Sequence, residues 1–428
     1  MRAPARLALL AASALAVAAA SAVEEWAIDG GTTGLLVEDH RVPIVFLRIE
    51  FAAGSWSHWA ETHDAAFAFE SQLRDSAGEL QRRADRIPAD VEVSGGTRAA
   101  SLGVCCRKED LPAALDLVRA ILANRDLDRA ELRRRRKAAD LAFRASLKEP
   151  RFVLARAAAR LLFRPDDPRR RRFEKPKAPT TDPEKLGAAR DVLVRLPGRV
   201  VGLAGDLTLG EARRLGEGLL PPASSDAPPD LAPRLGPVST SESRPRIVSV
   251  GLPRLTQAYL AFGRESVGRL DPDRPASGIA DHALGGHFNS RLMVALRQEA
   301  GDTYGAAVVD LGETDPGPYA LVSFTKAENA GEMERKIREV LARFHEAGIS
   351  EEERALAAGN VVGRRAFRRE SPDDRLADAM TEKRHGLPYG FLDRQAEEAA
   401  SLSLEDVNAF VRSFYDPERF TMITLRPE

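Results

Sequence analysis

The segment 221–244, PPASSDAPPDLAPRLGPVSTSESR, does most to limit what this chain can fold into. It is rich in Pro, Ser and Ala and has no apolar periodicity, so it reads as an extended linker. On either side lie two stretches, 23–220 and 245–428, that run through the same order of elements. Each opens with a β-rich run, IVFLRIEF at 44–51 and QAYLAF at 257–262. A helix is expected after each, over about 64–83 and 277–299. A second strand follows, 100–106 and 319–325. Next comes a helix with an acidic restart: 111–122 with DLDRAE at 126–131, and 332–347 with ISEEER at 349–354. Each stretch closes on a strand, 199–204 and 420–425. A repeat of this length is a duplicated domain rather than a solenoid. Strands alternating with helices point to layered α+β domains.

Composition sets the class. Hydrophobic residues make up 43% of the chain and charged residues 30%, with a formal net charge of −1. That is an ordinary globular balance, with no basic excess for nucleic acid or an anionic membrane. The runs Arg133 to Arg136 and Arg169 to Arg172 are interleaved with acids and read as solvated faces. The N-terminus is distinct. A short basic stretch, MRAPAR, precedes an apolar, Ala-rich run at 7–20 and the small residues Ala20-Ser21-Ala22. This is the three-part pattern of a secretory signal peptide over 1–22, with Val23 the expected first mature residue. The run is short for a membrane span. The expected location is the periplasm. The only cysteines, Cys105 and Cys106, are adjacent in a strand and point to opposite faces, so they read as free thiols.

The residues that bear on chemistry fall in two places. In HWAETHDAAFAFES, 58–71, His58, Glu61 and His63 come close to H-x-x-E-H, but the second His is one residue late. On a helix, five residues set the two imidazoles about 140° apart. The stretch reads as a polar loop ahead of a helix capped by Thr62 or Asp64, with a loop-built metal site as the alternative. The second place is LGGHFNSRLMVALRQEAGDTYG, 284–305. Taken alone, its Arg297 is a surface arginine paired with Glu299, and its Tyr304 a strand-capping tyrosine.

The 284–305 segment is similar to the Leu-Gly-Gly…Ser-Arg-Leu…Leu-Arg-Glu…Gly-x-x-Tyr segment of the insulinase/pitrilysin family, the inverted-motif zinc peptidases. Phe51-Ala-Ala-Gly54-Ser55 resembles the strand end that precedes that family's metal helix. The resemblance implies two homologous metallopeptidase-like α/β-sandwich domains in tandem, each an antiparallel-rich sheet with helices packed on it: 23–220 and 245–428. Counted from Gly54-Ser55, the family's H-x-x-E-H falls on Phe67, Ala68, Phe69, Glu70 and Ser71. Glu70 stands at the general-base position. The third ligand position, reached through Lys148-Glu149-Pro150, falls near Ala142, with Asp140 and Glu149 the closest acids. Catalytic zinc needs about three protein ligands and an open position, and Phe67, Ser71 and Ala142 supply none. The resemblance also implies that Arg297 and Tyr304 contact a peptide substrate, and that a peptide adds as a strand at Ala52-Ala53-Gly54. The expected role is a pseudopeptidase subunit that holds no zinc itself and pairs, as a heterodimer, with a paralogue bearing H-x-x-E-H and zinc. The alternatives are an autonomous zinc peptidase using His58 and His63, or a scaffold without a proteolytic role.

Overall fold

The computed structural model describes residues 23–57, 67–68, 78–124, 127–175, 179–224, 247–253, 255–299, 301, 303–312 and 314–428. The chain divides into two units. One holds Met1–Arg136, Ala178–Pro233 and Ala366–Leu392; the other holds Lys137–Lys177, Arg234–Arg365 and Asp393–Glu428. Each unit therefore borrows a segment from across the 221–244 linker, and neither coincides with the expected domains 23–220 and 245–428. The expected leader 1–22 and most of the linker lie outside the described residues.

The first unit is built on a six-stranded sheet. Its strands are β1 (Val23–Asp29), β2 (Thr32–Glu38), β3 (Ile44–Phe51), β4 (Ala89–Gly95), β5 (Ala100–Arg107) and β6 (Arg199–Gly205), in the order β1-β2-β6-β3-β5-β4. Only β2 and β6 pair in parallel. Alternation in β3 sends Val45, Leu47, Ile49 and Phe51 to one face, where they meet Leu102, Val104 and Cys106 of β5. The helices Leu111–Ala123 and Pro183–Arg195 cover that face with Leu115, Val118, Leu193 and Val194. β6 is buried along its whole length, which is why it reads as an unbroken apolar run. Its second face, with Leu35 and Val37, takes Leu376, Ala379 and Met380 of the helix Pro372–Arg384. Gly202 permits that approach: a Cβ there would stand 2.8 Å from both Leu376 Cδ1 and Met380 Sδ. At the start of β6 the fully buried Arg199 donates to the Val194 and Pro221 carbonyls at 2.8 Å, to Thr32 Oγ1 at 2.6 Å and to Asp29 at 3.0 Å. It pins the sheet to the chain that leads into the linker.

The second unit repeats the plan. β7 (Ile247–Leu252), β8 (Gln257–Glu265), β9 (Ala306–Asp310), β10 (Pro318–Lys326) and β11 (Thr421–Pro427) lie in the order β7-β11-β8-β10-β9. One face packs Leu260, Phe262 and Leu321 against the helices Arg274–Gly285, Ala330–Ala347 and Leu404–Phe414. The other face, with Ala261, Ile423 and Leu425, takes Leu154 and Ala158 of the helix Pro150–Leu162. In both units, then, the second sheet face is covered by one helix from the other half of the sequence. The architecture is α+β.

Three readings of the sequence are corrected here. β3 lies inside the sheet, bonded to β6 on one side and β5 on the other. Beyond it Ala53, Ser55 and Trp56 are bonded to the 96–100 segment. No edge is free at 52–54 to take an added strand; the outer strands of this sheet are β1 and β4. The run Arg169 to Arg172 is not simply solvated. Arg169 is buried, forked onto Asp167, and its guanidinium stands 4.1 Å from the Phe163 ring. The helix expected over 277–299 is broken. It ends at Gly285, restarts at Arg291–Met293 and finishes as a π turn over Val294–Glu299. The cysteines are free, as read: Cys106 faces the core, where burial pushes its thiol up to about 11, and Cys105 faces the opposite side.

Candidate functional site

Phe67, where the resemblance led us to expect the first zinc-binding His position, packs half-buried against a small cluster of Ala68, Leu132 and Leu186. The Arg135 guanidinium stands 5.6 Å from its ring centre. A carbon-only ring in an apolar cluster offers a metal no lone pair. Glu70, Ser71, His58, Glu61 and His63 lie outside the described residues. At the position of the third ligand, Ala142 is exposed on the helix Arg129–Ser146. The neighbouring acid Asp140 is taken up by Arg144 at 2.8 Å and Lys175 at 2.9 Å, which hold its carboxyl below the usual range. Glu149 caps the helix Pro150–Leu162 by position. Among the described residues, no group of three His, Cys, Asp or Glu side chains could hold a metal ion. Phe67 and Ala142, the described residues at these expected positions, do not fit zinc.

The second constellation is set by the broken helix. Gly285 lies against β9, where a Cβ would stand 2.7 Å from the Val308 amide nitrogen. Gly286 lies as close to the turn before it, with 2.6 Å from such a Cβ to His282 Cα. Only glycines allow this end of the helix to press on the sheet. The chain then turns out through His287, which stacks on His282 with ring centres 4.5 Å apart, and through Phe288, 57% exposed. Ser290 begins the next helical piece. There Arg291 forks onto Glu353 at 2.7 and 2.6 Å and anchors the piece to the helix Glu351–Glu370. Widening into a π turn brings Arg297 over the loop, its guanidinium 4.8 Å from the Phe288 ring centre. π turns concentrate at functional sites because the extra residue re-aims a side chain. Gly301, at φ 66°, donates to the Arg297 carbonyl and closes the turn. Thr303 holds the approach to β9 by bonding Gly305, and Tyr304 between them is 80% exposed.

Among the described residues, no carboxylate pairs with Arg297 and no group hydrogen-bonds the Tyr304 hydroxyl. Arg297 thus presents a rigid fork of donors with its flat face supported by a ring. Tyr304 presents a free donor. Each can bind a carbonyl of a peptide, Arg297 can also bind a carboxylate, and Tyr304 can polarise a carbonyl. Phe288, the platform for Arg297, was not singled out in the sequence. Behind the loop, Asp281 Oδ1 accepts from both the Tyr319 and Tyr415 hydroxyls at 2.6 Å, and Ser277 bonds Oδ2 at 3.2 Å. Burial outweighs those bonds and pushes Asp281 up to about 6. Burial, with His287 and Arg364 nearby, holds His282 below its ordinary value. Among the described residues, no helix is long and apolar enough to cross a membrane.

Residues 199–359 match the family described as the Peptidase M16 inactive domain. An uncharacterized zinc protease of Streptomyces coelicolor is 28% identical over 133 residues, covering 31% of this chain and 28% of that protein. The non-peptidase homolog YmxG of Helicobacter pylori is 24% identical over 170 residues, 37% of each chain. The chain thus spans well under half the length of the curated relatives it matches. Among solved structures, the peptidase M16 inactive domain from Pseudomonas fluorescens superposes with a TM-score of 0.78 at 20% identity. The match covers 95% of this chain and 98% of that one.

Proposed function

Residues 199–359 belong to the peptidase M16 (insulinase/pitrilysin) family, and from that premise we propose that the chain is the non-catalytic subunit of a zinc peptidase. Its partner would be a paralogue carrying an intact H-x-x-E-H. This chain would supply wall and substrate contacts, and the partner the zinc, its water and the general base. The observation that carries the reading is the contrast between the two places. Phe67 is absorbed into an apolar cluster where a metal ligand would stand. Arg297 and Tyr304 are held by the fold, and among the described residues neither has a hydrogen-bond or ion-pair partner for its polar end. Supporting the reading is the similarity to a protein named as a non-peptidase homolog. In that assembly Arg297 would grip a peptide carbonyl or carboxylate, and Tyr304 would hydrogen-bond a carbonyl of the bound strand. Glu70 would be left without an activated water to deprotonate. The N-terminal pattern supports export and action in the periplasm, which N-terminal sequencing of the periplasmic protein at Val23 would test.

The test uses the chain purified alone and co-expressed with an H-x-x-E-H paralogue from the same organism. Zinc is measured by elemental mass spectrometry, and cleavage with a quenched unfolded peptide. The isolated chain should carry far less than one zinc and show no chelator-sensitive cleavage, while the pair should cleave. The variant R297A/Y304F should lower kcat/KM of the pair by on the order of tenfold to a hundredfold, with its zinc unchanged. Stoichiometric zinc in the isolated chain would make it an autonomous peptidase and send attention to His58, Glu61 and His63. Full activity of the R297A/Y304F pair would leave only a scaffold role.

A further inference from the structure

The loop that carries Phe288 is fastened by two histidines. His282, in the last turn of the helix Arg274–Gly285, stacks on His287 with ring centres 4.5 Å apart and planes 21° from parallel. Both rings need a bare Nδ1. The His287 Nδ1 accepts from the Asn289 amide at 3.2 Å. The His282 Nδ1 is buried and, among the described residues, has no hydrogen-bond partner. A neutral imidazole meets both demands by keeping its one proton on Nε2. An imidazolium meets neither, because both of its nitrogens are donors. A proton on His287 removes the Asn289 bond. A proton on His282 creates a buried N–H without an acceptor, on a ring that now bears charge.

Nothing around the stack offsets such a charge. His282 faces His287 across the stack and Arg364 on the helix Glu351–Glu370. β9 meets the end of its helix through Val308, and the helix Leu404–Phe414, packed on the same helix, buries only apolar side chains. The charged groups nearby are already engaged. Asp281 accepts from Tyr319 and Tyr415, Arg291 is forked onto Glu353, and Arg274 donates to Asp310. Among the described residues no carboxylate pairs with either imidazole. Burial, then His287 and Arg364, hold His282 below its ordinary value, so closing the loop expels protons and acid favours the open form. The loop is joined to the π turn at one point. The Phe288 carbonyl and Asn289 Oδ1 both accept from Gln298 Nε2 at 3.3 Å, next to Arg297. With Asn289 released, the loop loses its hold on that turn, and the Phe288 ring leaves the Arg297 guanidinium.

We propose that the His282–His287 stack is an acid-released catch on the loop that presents Arg297: two neutral imidazoles hold residues 286–290 in place, and a proton on either ring lets them go. The catch acts on the loop itself, whatever ligand Arg297 and Tyr304 take. It is tested on the full chain by hydrogen–deuterium exchange, read by mass spectrometry at about pH 5 and about pH 7.5 and corrected for the intrinsic rate of free amides. Amides of residues 286–299 should lose protection on the order of tenfold at the acid pH, while those of β10 keep theirs. The variant H282F/H287F, with two rings and no imidazole at these positions, should show no acid loss. D281N should keep the acid loss, since that carboxyl is not part of the catch. In the wild type, the Cε1 resonances of His282 and His287, assigned with H282Q and H287Q, should titrate at the midpoint of the protection loss. That titration decides the question if the double variant does not fold. Equal protection at the two pH values, or an acid loss that survives in H282F/H287F, would overturn the proposal. So would an acid loss abolished in D281N, or imidazole midpoints that differ from that of the loop.

Discussion

Replacing Asp281 by Asn should remove a pH dependence from the stability of the second unit. The carboxyl is enclosed beside Tyr319 and Tyr415, and burial raises it from its ordinary 3.8 to about 6. The folded state therefore holds its proton over a range where the unfolded state has released it. Below about pH 4 both states are protonated and the site contributes fully. As pH rises from there through 6, the folded chain must ionise a poorly solvated group and stability falls. A shift of this size, at ~1.4 kcal/mol per pH unit, corresponds to a loss of about 3 kcal/mol between the two limits. Asparagine mimics the neutral acid. Its amide oxygen can accept from both tyrosines, and its NH2 can donate to Ser277 in place of the bond now made to Oδ2. Urea unfolding of D281N and wild type, followed by far-ultraviolet circular dichroism at steps from about pH 4 to pH 8, reads the difference directly. The two should agree at the acid end, with D281N more stable by about 2–3 kcal/mol at the alkaline end. A difference that stays flat with pH, or that grows toward acid, would refute the reasoning.

Two further outcomes follow from the first unit. Arg199→Met should destabilise it by about 3 kcal/mol, since the Val194 and Pro221 carbonyls and Thr32 lose a buried donor; denaturant midpoints check this. Gly202→Val should cost about 1–3 kcal/mol by pushing on Leu376 and Met380, and proteolysis should reach the Pro372–Arg384 helix first; limited digestion with mass mapping reads both.

What the sequence made legible follows burial. β3 and β5 alternate because one face is core, and β6 is apolar throughout because both faces are covered, so each was readable as a strand. β4, ADVEVSG, was not read. As an outer strand it gives one face to Asp90, Glu92 and Ser94 and keeps only Val93 buried, so its apolar signal is thin. β1, VEEWAID, has no buried residue at all. Both outer strands were missed, so nothing in the sequence reading opposed the added strand that the resemblance placed at the end of β3. The expected helix over 277–299 had no break after Gly285 and no π turn, because nothing in the Val294–Glu299 sequence distinguishes that turn from an α-helix. The stacking of Arg297 on Phe288 crosses a turn and leaves no periodic trace. The exchanged helices Pro150–Leu162 and Pro372–Arg384 show the general limit. Their apolar stripes announce that they are buried, but a stripe does not name the sheet it meets, and the linker suggested the wrong one.

The energetics of the two candidate places point in opposite directions, and that contrast bears on function. An imidazole in place of Phe67 would bring ring nitrogens into the apolar cluster of Ala68, Leu132 and Leu186, where an unbonded polar group costs on the order of 1–3 kcal/mol. The phenyl ring adds apolar burial instead, so this position now serves the fold. Arg297 and Tyr304 do little for it. A cation–π contact at an open site is worth about 0.5–1 kcal/mol, and a tyrosine exposed with a free hydroxyl contributes less still. Yet the loop that presents them is expensively built. Two glycines press a helix end onto β9, the Arg291–Glu353 fork anchors the restart, and a π turn re-aims the guanidinium. Packing demands explain Phe67, whereas among the described residues nothing uses the donors that this loop holds out, which supports the proposal that a ligand for them comes from outside the unit.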